Sequence, residues 1–287
     1  MRFGVTLGAV GEGRDPRGLA ALAALAERSG WDGVFLEDYL VYQGRSDLPA
    51  YDPWVALAAM ATATERVRLG LTVTPVPRRK PWELAAQAVA LDQLSTGRLI
   101  LGVGAGDVAD GGFVAVGEPL EPRVRAELLD EGLAILDALW SGEPVHHAGR
   151  HFRIDGLRLA ARPVQRPRIP IWVGGDLLVP GVRRRLTRWD GACVYKGPPG
   201  RSEPLTPGDV REIVDLVARA RGSADGFDVK VSHTFDEQRL HELAGAGATW
   251  CNLWLAPGRL DETRRAIARG PAARRPGPMA PNTGTPS

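Results

Sequence analysis

The 287-residue chain contains only two cysteines, Cys193 and Cys251, which are too few for a disulfide framework. The formal net charge is only +2, and no basic tract suggests a nucleic-acid binder. No apolar run approaches the roughly 20 residues that a membrane-spanning helix needs. The first residues lead into an apolar strand without a basic leader. These absences predict a cytoplasmic protein that binds neither nucleic acid nor membrane.

Short apolar runs alternate with amphipathic helices along most of the chain. The predicted strands cover residues 2–8, 33–37, 67–74, 98–104, 169–174, 191–195, 227–232 and 249–255. Eight strand–helix units in one chain predict an α/β fold, a closed parallel (β/α)8 TIM barrel. An open doubly wound sheet fits the same alternation, but such sheets commonly have fewer strands.

The alternation is interrupted between about residues 107 and 168. A helix over 123–140 and a hairpin turning near Asp155-Gly156 predict an insertion between barrel strands four and five. The barrel with this insertion forms one predicted domain, 1–270. Residues 271–287 are rich in Pro and Gly and predict a disordered tail.

Ligands of such barrels bind at the C-terminal ends of the strands, and this rule selects a short set of residues. We selected residues at or just after the ends of the predicted strands, with either a functional side chain or a glycine backbone that a ligand could approach. They are Glu37, Asp38, Tyr39, Thr72, Val73, Thr74, Gly104, Gly106, Asp107, Gly174, Gly175, Asp176, Lys196, His233 and Trp254. We expect the functional site among them.

Several stretches resemble the luciferase-like monooxygenase family, whose members are flavin- or F420-dependent oxidoreductases. They are LTVTPVPRRKPWELAAQAVALDQLSTGRLILGVGAGD (71–107), RVRAELLDEGLAILDALWSGEPVHHAGRHFRIDG (123–156), RPVQRPRIPIWVGG (162–175) and GAGATWCNLWLAP (245–257). The resemblance covers roughly residues 2–270 and is loose between about 176 and 244. It implies a TIM barrel that binds an isoalloxazine or deazaflavin ring across its mouth.

The resemblance also implies roles for residues at two strand ends. Asp38 is expected to contact the cofactor, and Thr72–Val73 is expected to be a non-prolyl cis peptide against the ring. An ordinary trans strand end is the alternative. A cis bond without proline costs about 3–4 kcal/mol, so it would persist only where its surroundings enforce it.

Glycines follow two further strands. Gly104 and Gly106 are expected to let the backbone approach a flat ring, whereas no third glycine completes a dinucleotide loop. Gly174 and Gly175 should leave backbone N–H groups free for a phosphate or ribityl chain. Arg183, Arg184 and Arg185 could add positive charge there, although such a run is more often a solvated helix face.

Asp107 and Tyr39 are the predicted catalytic residues. Some deazaflavin-dependent relatives carry a glutamate proton donor at the position of Asp107, and a buried aspartate could do the same. The alternative is a loop aspartate that caps a backbone N–H. Hydride-transferring relatives often have Asp-His after strand two, but this chain has Asp38-Tyr39. A tyrosine with an unperturbed pKa of about 10 is a poor base at neutral pH.

Other constellations give alternatives. His146, His147 and His151 lie in the predicted hairpin, away from the barrel mouth, so no metal site is expected. Lys196 could form a Schiff base as in barrel aldolases, although a lysine in a Gly-Pro-Pro loop is more often solvated. A non-catalytic flavin-binding protein on the same scaffold is a third possibility.

The leading hypothesis is an oxidoreductase in which the cofactor carries the chemistry. Reduced FMN would oxygenate a small organic substrate, or reduced F420 would pass a hydride to one. The incomplete Asp-His pair favours the monooxygenase-type chemistry. A separate flavin or F420 reductase and a homodimer are further expectations.

Overall fold

Eight parallel strands close into a barrel in the computed structural model, which describes residues 1–197, 202–232 and 236–271. The barrel strands are β1 (Arg2–Gly8), β2 (Gly33–Glu37), β3 (Arg68–Pro75), β4 (Leu99–Gly104), β7 (Ile171–Asp176), β8 (Gly191–Tyr195), β9 (Asp228–Ser232) and β10 (Trp250–Leu255). Their order around the barrel is β1-β10-β9-β8-β7-β4-β3-β2, and β1 pairs with both β10 and β2. The predicted (β/α)8 fold is confirmed.

Helices connect the strands on the outside of the barrel. They are α1 (Pro16–Arg28), α2 (Pro53–Thr62), α3 (Pro81–Leu94), α6 (Pro180–Leu186), α7 (Pro207–Arg221), α8 (Glu237–Gly245) and α9 (Leu260–Ala268). Several begin at a proline preceded by a residue whose side chain caps the free backbone N–H groups. In α7, Thr206 and Asp209 form a reciprocal capping box.

The insertion between the fourth and fifth barrel strands is present. It contains α4 (Gly111–Ala115), α5 (Pro122–Trp140) and a hairpin of β5 (Val145–Ala148) and β6 (Arg153–Leu157). The prediction that the hairpin turns near Asp155-Gly156 is wrong, because these residues lie within β6. The chain reverses at 149–152, where Gly149 N–H donates to the Phe152 carbonyl at 2.9 Å. The Glu131 carboxylate of α5 holds this turn by accepting the Phe152 N–H at 2.8 Å.

The lower part of the barrel is filled with aromatic rings. Phe35 stacks on Trp172 with ring centroids 5.4 Å apart and meets Trp250 edge-on at 5.5 Å. Gly191 makes room for this layer, since a β-carbon there would lie 2.3 Å from Trp172 Cδ1. The barrel is therefore packed below, and its polar interior residues lie toward the C-terminal ends of the strands.

The predicted end of the domain, residue 270, falls next to the last described residue. The boundary at residue 270 stays a prediction, and the predicted tail lies outside the described residues except for its first position. Across the three described ranges, no helix is both long and apolar enough to cross a bilayer.

Candidate active site

The end of β3 departs from regular pairing at the barrel mouth. The Thr72–Val73 peptide bond is cis, as the resemblance implied. The register between β3 and β4 shifts between Leu71 and Thr74. Thr72 Oγ1 is buried, and no hydrogen-bond partner within the described residues reaches it.

Two glycines make room for the side chain of Val73. A β-carbon on Gly104 would lie 2.8 Å from Val73 Cγ2, and one on Gly174 would lie 2.5 Å from Cγ1. Both distances are below van der Waals contact. The two glycines therefore have a packing role, and their predicted contact with a cofactor stays a prediction.

Gly106 and Gly175 also lie where a side chain would collide. Gly106 has φ +81°, and its β-carbon would come within 2.3 Å of the Phe113 ring. Gly175 has φ +136°, and its β-carbon would lie 2.8 Å from Val182 Cγ2 in α6. Glycine tolerates both backbone conformations and both close approaches.

Asp38 is the centre of a buried ion-pair network rather than an exposed group. Thr74 Oγ1 donates to its Oδ2 at 2.5 Å, and Arg79 Nη2 donates to the same oxygen at 2.7 Å. Arg78 Nη2 donates to Oδ1 at 2.9 Å and also pairs with Asp110. The Asp38 side chain is only 2% exposed, because these partners surround its carboxylate. Its direct contact with a cofactor stays a prediction.

Arg78 and Arg79 are not among the predicted site residues, although consecutive arginines follow directly after the third strand. Through Asp38 they join the segments that follow β2 and β3, and through Asp110 they reach the start of the insertion. Charged hydrogen bonds of this kind are strong when the carboxylate is fully surrounded. The network fixes the backbone on both sides of Tyr39.

Tyr39 lies half-buried at the mouth with its ring 5.0 Å from that of Tyr42, edge to face. Burial and the nearby charge of Glu37 raise the pKa of the Tyr39 hydroxyl well above its usual range. A tyrosine in this state keeps its proton at neutral pH. It can donate a hydrogen bond, but it is not a base.

Asp107 caps its own loop. Its Oδ1 accepts the Ala109 N–H at 3.0 Å, which is the alternative that the sequence left open. Burial raises the pKa of both Tyr39 and Tyr195, and the charge of Asp107 contributes in each case. Asp107 therefore lies near both tyrosines, and its catalytic role stays a prediction.

Glu37, the last residue of β2, is a half-buried acid that the sequence analysis counted among the strand-end residues but to which it assigned no role. Its Oε1 accepts the Trp254 Nε1–H at 3.2 Å, and its Oε2 is buried without a hydrogen-bond partner among the described residues. Burial raises the pKa of this carboxyl, while the Trp254 hydrogen bond and the charge of Lys230 lower it. The signal in the sequence is the alternation along β2, which puts Glu37 on the same face as the interior Phe35.

Asn252 and Thr6 add polar atoms to the upper barrel. Asn252 Nδ2 donates to Thr6 Oγ1 at 3.2 Å, and Asn252 Oδ1 is buried with no partner among the described residues. Asn252 Oδ1 lies close to the Phe35 ring, since a β-carbon on Gly4 would approach both, whereas Thr72 Oγ1 and Glu37 Oε2 belong to strand ends. Buried polar groups without partners commonly mark a place for a ligand or water.

The arginines that the sequence analysis proposed for anion binding form ion pairs with acidic side chains. Arg183 pairs with Glu212 at 2.7 Å, while Arg184 and Arg185 both pair with Asp130 of α5. His233 lies outside the described residues.

Lys196 is also engaged. Its Nζ lies 3.0 Å from Asp209 Oδ1, and this hydrogen bond and the Asp209 charge raise the lysine pKa. A Schiff-base lysine must lose its proton to attack a carbonyl, so the pairing disfavours the aldolase alternative.

The hairpin histidines pair with single carboxylates. His146 lies beside Asp155, His147 beside Glu131 and His151 beside Glu127. Within the described ranges, no group of three or more His, Cys, Asp or Glu side chains is arranged to hold a metal ion.

Large apolar side chains are exposed around the C-terminal end of the barrel. They follow the ends of β2, β4 and β7 or belong to β10, and they are Leu40, Val108, Val114, Val116, Leu120, Leu178, Val179 and Trp254. We call this set the apolar rim. Large exposed apolar side chains on segments that follow barrel strands are candidates for contact with a ligand.

The opposite end of the barrel has a cavity of different character. It is about 410 Å³ in volume and is lined by Arg2, Arg68, Arg168, Asp190 and Asp228. Arg2 pairs with Asp228, and Arg168 pairs with Asp190. Because this is the N-terminal face of a barrel, its ion pairs are assigned to stability.

A closed parallel barrel with unpartnered polar atoms of Glu37 and Thr72 at its C-terminal strand ends resembles the architecture of (β/α)8-barrel enzymes. The model of the luciferase-like monooxygenase family matches residues 1–235, and the chain belongs to this family. An F420-dependent glucose-6-phosphate dehydrogenase from Nakamurella multipartita is 33% identical over 247 residues, which cover 83% of this chain and 70% of the relative.

Solved structures have the same fold. An F420-dependent secondary alcohol dehydrogenase, in complex with an F420–acetone adduct, has a TM-score of 0.75 and 17% identity over 96% of this chain and 99% of its own. A monooxygenase from Streptomyces bottropensis has a TM-score of 0.71 and 22% identity over 93% of this chain and 96% of its own. At such identities the likeness concerns the fold alone.

Proposed function

We propose that this protein is an F420-dependent oxidoreductase that exchanges a hydride between the deazaflavin and a small organic substrate. The observation that carries the proposal is the similarity, above 30% identity over most of the chain, to F420-dependent dehydrogenases. The bound deazaflavin would supply the hydride acceptor or donor, as cofactors do in such enzymes.

The residues at the mouth fit a flat ring. Gly104 and Gly174 carry no side chains at these strand ends, and the Val73 side chain fills the space between them. Thr72 Oγ1, buried and unpartnered in the described structure, offers a hydrogen bond to a ligand. Gly175 follows Gly174 in β7, and we expect its backbone to contact the phosphate-bearing chain of the cofactor.

The chain's own residues would orient the substrate and control water. Tyr39, which keeps its proton, would donate a hydrogen bond to a substrate oxygen. Asp107 would hold the loop after β4 through Ala109, with its second oxygen left for the ligand. The network around Asp38 would keep Tyr39 in place.

The apolar rim indicates the substrate class. Lys196 pairs with Asp209 and Arg183 pairs with Glu212 in the described structure, so neither side chain is free to bind the phosphate of a sugar phosphate. Exposed Leu40 and Trp254 instead favour a substrate with an apolar body. We propose a secondary alcohol, or the corresponding carbonyl compound, with an apolar body.

The expectation that favoured monooxygenase-type chemistry with reduced FMN is not confirmed by the relatives. The monooxygenase neighbour shares the fold at 22% identity, whereas the relatives above 30% identity are F420-dependent. A separate F420 reductase and a homodimer stay predictions.

Titration of the purified protein with oxidised F420, reduced F420, FMN and reduced FMN tests the proposal. We expect both F420 forms to bind, followed by hydride transfer when a matching alcohol or carbonyl compound is added. Binding of FMN forms alone, with oxygen consumption, would favour a flavin monooxygenase. F420 binding without turnover across a broad screen would favour a non-catalytic binding protein.

A further inference from the structure

The Glu37 carboxylate accepts a hydrogen bond from a side chain two strands away in the barrel wall. Its partner Trp254 belongs to β10, which is separated from β2 by β1. At the intervening position, β1 carries Gly8, whose absent β-carbon would lie 3.5 Å from Glu37 Oε2. No side chain of β1 therefore covers this oxygen.

The other acids at the mouth are committed to structural contacts. Asp38 accepts from Thr74, Arg78 and Arg79. Asp107 accepts a backbone N–H of its own loop. Among the mouth carboxylates of the described chain, Glu37 has the oxygen that is both buried and without a partner.

Tyr39 cannot take a proton from a substrate, because burial and the Glu37 charge keep its hydroxyl protonated through a raised pKa. The residue type that the family often places there, histidine, is absent. A hydride enzyme with this mouth still needs a group that accepts or returns the substrate proton. Glu37 lies two residues before Tyr39, and its charge acts on the Tyr39 hydroxyl.

We propose that Glu37 exchanges the substrate proton, taking the part that a histidine at position 39 would play. This inference rests on the proposed function. In the oxidative direction the carbinol C–H bond breaks and its electron pair leaves with the hydrogen as hydride to the deazaflavin. The O–H bond breaks and its proton passes to Glu37 Oε2, leaving a carbonyl compound. In the reductive direction Glu37 returns that proton to the new hydroxyl.

The surroundings of Glu37 suit a reversible exchange. Burial raises its pKa, whereas the Trp254 hydrogen bond and the Lys230 charge from β9 oppose this shift. Tyr39 and Tyr42 face the same carboxylate, and its charge helps to raise the pKa of each hydroxyl. A carboxyl with a raised pKa exchanges protons closer to neutral pH than an exposed glutamate does.

The test compares wild type with Glu37→Gln, which keeps the size of the side chain and removes the exchangeable charge. Glu65→Gln, an exposed glutamate at the opposite end of the barrel, is the matched control. We expect Glu37→Gln to bind F420 as wild type does and to slow single-turnover hydride transfer by about 100-fold or more. The pH profile should lose the limb assigned to Glu37, while Glu65→Gln should resemble wild type.

A second readout needs no cofactor. In the cofactor-free protein, carbon-13 NMR of labelled glutamate should show a carboxyl that titrates above the ordinary glutamate range and is absent in Glu37→Gln. Titration of Glu37 in the ordinary range, or wild-type hydride transfer by Glu37→Gln, would overturn the proposal. If wild type neither binds nor reduces F420, the proposed function fails, and this inference fails with it even if Glu37 titrates high. If Glu37→Gln does not fold, Glu37→Asp takes its place in both measurements and should slow hydride transfer without abolishing it.

Discussion

The side chain of Val73 occupies the space that a β-carbon at Gly174 would need, with Cγ1 only 2.5 Å from that position. Two segments far apart in sequence, the ends of β3 and β7, thus depend on each other at the barrel mouth. The smallest residue at 174 allows the larger one at 73 to lie inside.

Gly174→Ala should therefore disturb the mouth. We expect a loss of about 1–3 kcal/mol in the free energy of unfolding from overpacking, with F420 binding weakened at least about tenfold. Urea denaturation and fluorescence titration measure the two effects. Gly245→Ala is the matched control, because a β-carbon there meets nothing within 4 Å.

A double variant tests whether the collision with Val73 causes the loss of stability. Val73→Ala in the Gly174→Ala background should restore stability toward wild type, since the colliding methyl groups are gone. An unchanged loss in the double variant would show that Val73 is not the cause.

Asp38→Asn should destabilise the fold. The substitution leaves the Arg78 and Arg79 guanidinium groups without their buried carboxylate, and breaking a buried pair from one side costs about 3–5 kcal/mol. Urea denaturation measures the change in unfolding free energy. Asp47→Asn breaks an exposed pair with Arg45 and should have no measurable effect. Equal behaviour of the two variants would contradict the structural role of Asp38.

Glu27 gives a pH-dependent prediction at the opposite end of the barrel. Burial alone would raise the pKa of this carboxyl, but N–H groups of Val67, Arg66 and Glu65 donate to it and hold the pKa below its usual value. A depressed carboxylate pKa stabilises the fold above the unfolded pKa, and this contribution is lost as pH falls through the folded pKa.

Glu27→Gln should therefore lower the unfolding free energy at neutral pH by about 1 kcal/mol, and the difference should shrink below the ordinary range of glutamate. Denaturation curves at a series of pH values measure it. Glu12→Gln, an exposed glutamate, should match wild type throughout. A difference that grows as pH falls would contradict the assignment.

Leu40→Ser should reduce kcat/KM for an apolar alcohol by about tenfold, because the rim loses apolar contact area next to the site. Steady-state kinetics with a series of alcohols of increasing chain length measures the effect. Leu94→Ser changes a similarly exposed leucine at the end of α3 and should leave kcat/KM unchanged. Preference for glucose 6-phosphate over apolar alcohols would refute the substrate class.

Sequence patterns predicted the barrel well because each strand–helix unit carries a local periodicity. The cis bond at Thr72–Val73 was expected only through family resemblance, since nothing in the dipeptide itself favours it. The hairpin turn was misplaced because Asp155-Gly156 is a common turn pair, whereas Glu131 of the distant α5 stabilises the reversal at 149–152.

The site was predicted less completely than the fold. Strand ends indicated Asp38, but its ion pairs with Arg78 and Arg79 are long-range contacts without a local signal. Glu37 was visible as a strand-end residue, yet its surroundings depend on Gly8, which leaves one carboxylate oxygen uncovered, and on Trp254, which lies more than 200 residues further along the chain. Contacts between distant segments decide which of two adjacent acids is committed and which is free to react.

The most direct measurement is anaerobic mixing of the purified protein with oxidised F420 and a secondary alcohol that has an apolar body, followed by absorbance of the deazaflavin and assay of the carbonyl product. The account predicts loss of oxidised F420 with one carbonyl formed for each F420 reduced. Absence of F420 binding, together with oxygen-dependent turnover on reduced FMN, would contradict it.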